Sequence, residues 1–149
     1  MNSKGFTLIE LIMVIVLIGI IIVVVSPKLG DVTDTKAAAL ADKLRADIRY
    51  AQNLAMTTSQ RHRVYINTAP GPTPDGYSVV NVATGLAVQD PAGGNLSVVL
   101  NAGDYAGITV SPNAVIEFNS LGSPTGGTAL TVSPGGATVT VTAETGAVN

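Results

Sequence analysis

The chain contains no cysteine, a single histidine, and no lysine or arginine after Arg63. The absence of cysteine excludes disulfides, thiolate zinc sites, cysteine nucleophiles and a cysteine-linked lipid anchor. It says nothing of compartment, because an oxidising space permits disulfides without requiring them. Beyond Arg63 the only charged side chains are Asp75, Asp90, Asp104, Glu117 and Glu144. A surface without cations cannot neutralise phosphates, so the C-terminal part is not built to bind nucleic acid. The single histidine, His62, lies at a helix-to-strand boundary and reads as an exposed junction residue rather than a catalytic group. No Gly-x-Ser-x-Gly elbow and no phosphate-cradling glycine motif is present. Nothing points to an enzyme, a cofactor or a catalytic residue. The loop acids are scattered singly, which argues against a calcium or other metal site.

The start of the chain is as rich in apolar residues as the end is poor in cations. Residues 11–25 are all apolar or glycine, and residues 6–25 carry one charge, Glu10. A 20-residue helix spans about 30 Å, the hydrocarbon thickness of a bilayer. A buried core helix is the plain alternative, but a small domain cannot surround such a helix on every side. A cleavable secretory signal is a second alternative, which Glu10 and the Val-Val-Val-Ser-Pro run fit badly. A carboxylate in a membrane helix costs about 2–3 kcal/mol, so Glu10 calls for a partner. It either pairs with an amine or snorkels to the headgroups, about 6 Å along the helix from Phe6.

Ser26-Pro27 punctuates this run. Proline removes a backbone donor, and Ser26 can cap a new helix that has Pro27 at its first position. A kink or restart near Pro27 is therefore expected. Downstream, Leu40, Leu44, Ile48, Ala51 and Ala55 form one apolar stripe at helical spacing. Asp42, Lys43, Arg45, Asp47 and Arg49 fall off the stripe, with Asp42–Arg45 and Lys43–Asp47 at pair spacing. They read as a solvated face. After about residue 59 the composition changes: thirteen of sixteen glycines and seven of eight prolines lie in the last 89 residues, from Arg61 on, which is the mark of turns. Strands are expected at residues 63–67, 77–82, 96–100, 107–110, 115–118, 129–132 and 138–142, with a loop at 70–76. Tyr50, Tyr65, Tyr77 and Tyr105 read as packing residues. The fold expected is α+β: a long N-terminal helix, hydrophobic then amphipathic and kinked near Pro27, packed on an antiparallel β-sheet domain.

Lys4-Gly5-Phe6-Thr7-Leu8-Ile9-Glu10, with the apolar run behind it, closely resembles the prepilin signal of type IV pilins and pseudopilins. The resemblance implies cleavage between Gly5 and Phe6 by a membrane prepilin peptidase and N-methylation of Phe6. It implies that Glu10 pairs with the N-terminal amine of a neighbouring subunit during assembly. Gly19 and Pro27 match helix-breaking positions of that family, whose filaments often unwind the stretch between them. The implied divisions are a leader at 1–5, a transmembrane and filament-core helix at 6–27, an amphipathic helix at 28–59 and a β-rich globular domain at 60–149. Residues 44–55, 63–66, 116–122 and 139–148 resemble GspH/FimT-type minor pseudopilins.

The implied partners are other pilin or pseudopilin subunits, the prepilin peptidase, the inner-membrane assembly platform and membrane lipid, with no nucleic acid. The implied location is the bacterial inner membrane, single-pass with the globular domain periplasmic, and then the pilus or pseudopilus. The orientation rests on the resemblance, since Lys4 faces Lys28, Lys36 and Lys43 across the apolar run and the charge rule does not decide it. The function implied is a structural subunit of a type II secretion pseudopilus or a type IV pilus. The alternative is a membrane-tethered tip adhesin or binding module that uses loops 70–76 and 90–95.

Overall fold

The computed structural model describes residues 6–25, 32–72 and 75–149. The chain divides into two units, Met1–Val32 and Thr33–Asn149. The expected leader, the Pro27 kink and residues 28–31 lie outside the described residues.

In the first unit, helix α1 runs over Leu8–Val25. Among its large apolar side chains through Ile22, none is less than 46% exposed. Apart from Glu10 it is apolar on every side, and among the described residues this unit supplies nothing for it to bury against. At 1.5 Å per residue its 18 residues measure about 27 Å. Among the described residues no helix is long and apolar enough to cross a membrane.

In the second unit, helix α2 (Val32–Thr58) buries Ala37, Leu40, Ala41, Leu44, Ile48, Ala51 and Ala55. These recur every three or four residues, which puts them on one face. All five residues of the sequence-read stripe are among them. The Thr57 and Thr58 hydroxyls donate to the Asn53 and Leu54 carbonyls at 2.9 and 2.6 Å. Ser59 then takes φ 54°, the left-handed turn that ends a helix.

Among the described residues seven strands follow, all antiparallel: β1 (His62–Ile66), β2 (Gly76–Asn81), β3 (Ser97–Val99), β4 (Thr109–Ser111), β5 (Ala114–Phe118), β6 (Thr128–Ser133) and β7 (Ala137–Val141). Each overlaps one of the seven expected runs. They form two sheets, however, of order β3-β2-β1-β5 and β4-β6-β7, where the pattern suggested a single one. The chain visits the second sheet at β4, returns to the first at β5 and crosses for good after β5. Pro124 still bridges Phe118, and the Thr125 N–H reaches the Glu117 carbonyl at 2.9 Å. The chain then turns away at Gly126-Gly127 into β6, whose partners are β4 and β7. A Cβ at Gly127 would lie 2.9 Å from the Ala143 nitrogen, so no other residue fits this divergence without a shift.

The core is continuous beneath both sheets. The α2 stripe meets Val64, Ile66, Val79, Ile116 and Phe118 from the first, and Val110, Leu130, Val132, Val139 and Val141 from the second. One side-chain amide joins the sheets, and another ties α2 to the loops that follow β5 and β7. Asn67, at φ 52°, donates from Nδ2 to the Val110 carbonyl at 2.6 Å and accepts from the Gly76 N–H at 2.8 Å. Gln52 donates from Nε2 to the Gly122 carbonyl at 2.9 Å and the Thr145 carbonyl at 3.2 Å.

Candidate functional site

The N-terminal segment begins with a reciprocal cap. The Thr7 N–H and hydroxyl both donate to Glu10 Oε2, at 3.1 and 3.0 Å. The Glu10 N–H lies 3.3 Å from Thr7 Oγ1. This is the Ser/Thr-x-x-Glu capping box, which satisfies donors that a helix start leaves open. The Thr7-Leu8-Ile9-Glu10 spacing carries that signal, so Glu10 has a partner within its own chain as well as the intermolecular one expected of it. Phe6 precedes the cap and is 82% exposed. Gly19 lies within α1, where the helix continues to Val25, and no atom outside its own helix would touch a Cβ there. Gly5 and Pro27 lie outside the described residues. The segment thus presents a capped, acid-bearing helix start followed by a helix exposed on every side.

Two polar clusters stand out among the described residues of the globular unit. In the first, Asp47 on α2 accepts from Lys43 Nζ at 3.0 Å and from the Tyr77 hydroxyl at 2.7 Å. Lys43 also lies 3.6 Å from Asp90, which ties the loop after β2 to the helix. Burial, with the Asp47 carboxylate facing it, holds the Tyr77 phenol far above its usual pKa. Burial works against the Lys43 ammonium, but hydrogen bonding to Asp47 and the charges of Asp47 and Asp90 outweigh it and raise its pKa. In the second cluster, Glu117 accepts from Arg63 Nε at 2.8 Å and from Arg61 at 3.1 Å, while Arg63 also donates to the Tyr65 hydroxyl at 2.9 Å.

Two expectations need correction here. Asp42–Arg45 and Lys43–Asp47 do pair, at 2.5 and 3.0 Å, yet this face of α2 is not simply solvated. The Asp47 side chain is only 13% exposed. Arg45 donates to the Thr138 carbonyl at 2.6 Å and Arg49 to the Val148 carbonyl at 2.5 Å. With Gln52 they form a row down α2 that clamps the last hairpin. His62 is buried, not exposed. It starts β1 and shares the inward face with Val64 and Ile66, by strand alternation, and its Nδ1 lies 3.1 Å from the Gln60 carbonyl. Among the described residues no group of three His, Cys, Asp or Glu side chains could hold a metal. What the clusters do chemically is fix elements to one another.

The model of the prokaryotic N-terminal methylation motif matches residues 1–26, and that of type II transport protein GspH matches residues 40–146. Over 55 residues the chain is 46% identical to a type IV narrow pilus major component, PilA5, of Thermus thermophilus. That match covers 37% of this chain and 47% of the relative, so it spans about half the relative's length. Two crystal forms of the type IV minor pilin FimU of Pseudomonas aeruginosa PAO1 share the fold. One gives a TM-score of 0.54 at 12% identity, covering 77% of this chain and 87% of FimU. The other gives 0.50 at 15% identity, covering 75% and 90%.

Proposed function

Because the chain belongs to the GspH family of type II transport proteins and is a pilin-like structural subunit, we propose that residues 1–27 direct its processing and assembly. The observation that carries this reading is a prepilin motif and a GspH domain in one chain, at residues 1–26 and 40–146. Members of such a family assemble with other pilin-like subunits, by way of the inner membrane, into a pilus or pseudopilus. For this chain, a prepilin peptidase cuts between Gly5 and Phe6, and the amine of Phe6 becomes methylated. The mature subunit sits in the lipid of the inner membrane as a single-pass protein with its globular unit periplasmic. The assembly platform then draws it into the filament as a minor subunit.

Glu10 pairs with the N-terminal amine of a neighbour in that filament. The capping box supports this role, since Thr7 offers the carboxylate two hydrogen bonds while the subunit stands alone in lipid, where an unpartnered acid is costly. The large apolar side chains exposed on every side of α1 support burial by lipid first and by other subunits later. Residues 19–27, bounded by Gly19 and Pro27, unwind on assembly. Six of the seven residues between them are β-branched and apolar, a composition that gives up rotamer freedom in a helix.

The test is N-terminal mass analysis of protein taken from membranes. Methyl-Phe6 is expected in the parent, and a retained leader in Gly5→Leu. A parent chain that starts at Met1 or after Ser26 overturns the reading.

A further inference from the structure

We infer that Asn95 is a glycan-acceptor site, and the inference rests on export of the globular unit as proposed above. Of the nine asparagines in the chain, Asn95 alone has Ser or Thr two residues on with a non-proline between, in Asn95-Leu96-Ser97. That spacing is the acceptor pattern for N-linked sugars, and the pattern needs an accessible surface. The fold provides one. Leu96 is fully buried, while Asn95 and Ser97 on either side of it are exposed. The Ser97 N–H donates to the Asn95 carbonyl at 2.8 Å, closing a three-residue turn at the start of β3. The buried leucine thus anchors the turn and leaves Asn95 and Ser97 both exposed.

Four other turn asparagines are occupied by hydrogen bonds, whereas Asn113, exposed between β4 and β5, lacks the Ser or Thr two residues on. Asn67 joins the two sheets, Asn81 holds the turn after β2, Asn101 receives the Gly107 N–H, and Asn119 receives those of Leu121 and Ser123. Among the described residues the Asn95 carboxamide has no such partner. The approach is open as well. Gly93 and Gly94, at φ 108° and 79°, form an exposed turn just before it. Neither would bring a Cβ within 4 Å of another group.

A carboxamide nitrogen is a weak nucleophile because its lone pair is delocalised into the carbonyl. The reaction therefore needs a membrane-bound transferase and a sugar carried on a lipid pyrophosphate. Asn95 Nδ2 attacks the anomeric carbon and a C–N bond forms. The bond from that carbon to the pyrophosphate oxygen breaks, the lipid pyrophosphate leaves with the electron pair, and the amide proton passes to a base of the transferase. The position gives the sugar a use. β3 is an edge strand, paired only with β2. Asn95 itself bridges Gln89 and the Leu96 N–H donates to the Val88 carbonyl at 2.7 Å, so the open edge is Ser97–Val99, and a bulky hydrophilic group beside it hinders the recruitment of another strand.

The experiment is mass spectrometry of the full chain from membranes or filaments of its native host. A non-tryptic digest is required, because no Lys or Arg follows Arg63. The expected result is a peptide containing Asn95 heavier by whole sugar residues, lost in Asn95→Gln and Ser97→Ala but kept in Ser97→Thr. A mass gain that survives Ser97→Ala overturns the assignment. Methyl-Phe6 together with unmodified Asn95 overturns the glycan alone, whereas absence of both overturns the export reading with it.

Discussion

Replacing Tyr77 by phenylalanine removes one oxygen from the middle of the core and leaves the ring in place. Tyr77 is fully buried, and its hydroxyl donates to Asp47 at 2.7 Å. A hydrogen bond to a charged group contributes about 1.5–3 kcal/mol, so Tyr77→Phe should cost that much at pH 7. The pH dependence is the sharper test. The folded-state pKa of Tyr77 is raised by burial and by the Asp47 charge. A raised pKa means stability that is complete below the unfolded value, about 10, and is lost as pH rises beyond it. At pH 11, one unit above, the parent should have lost about 1.4 kcal/mol through Tyr77 alone. The variant has no such group to lose. Lys43, whose pKa is also raised, weakens both proteins in the same pH range and so cancels in the difference. The cost of Tyr77→Phe should therefore shrink by about 1.4 kcal/mol between pH 7 and pH 11. Urea unfolding of residues 33–149 of both proteins at several pH values measures this. A cost that stays constant across that range refutes the reasoning.

Leu44 is fully buried on the α2 stripe, so Leu44→Ala should lower stability by about 2–5 kcal/mol, and an unchanged urea midpoint would count against α2 as a core element. Gly146 has φ 70°, and a Cβ there would lie 2.6 Å from Gln52 Nε2 and 2.8 Å from the Gly122 carbonyl. Gly146→Ala should cost about 1–3 kcal/mol, read as a lower melting temperature, and Gln52→Ala in the same background should recover part of it. Glu10→Val should enter membranes at least as well as the parent yet join filaments poorly. Equal recovery in sheared filaments would sink the pairing role of Glu10.

Much of the secondary structure was legible because local periodicity encodes it. Leu40, Leu44, Ile48, Ala51 and Ala55 repeat at the helix period, and all five are buried. Val139 and Val141 alternate with threonines at the strand period, and both are buried in β7. The pairs Asp42–Arg45 and Lys43–Asp47 formed because three and four residues are neighbours on a helix. The burial of His62 needs one more step of the same argument, since it lies two residues before Val64 on one face of β1. The Thr7–Glu10 cap is likewise written in the spacing, though the apolar run behind it draws attention to partners outside the chain.

The sequence by itself determined the elements and the class of the protein. The motif at Gly5, Phe6 and Glu10, the apolar run, the stripe of α2 and the seven strand runs are all short-range patterns, and each reflects the repeat of a single element. Only the tertiary structure decided that the strands split into two sheets, and which polar groups tie distant segments together. Gln52 reaches a carbonyl 70 residues away, Arg49 one 99 residues away and Asn67 one 43 residues away. The acceptors are backbone carbonyls, which every residue carries, so nothing in the side-chain pattern marks them. Asp47 became a half-buried acceptor because Tyr77, 30 residues on, was brought over it by the pairing of β1 with β2. Such contacts follow from where packed elements place ordinary groups, and that placement is a property of the folded whole.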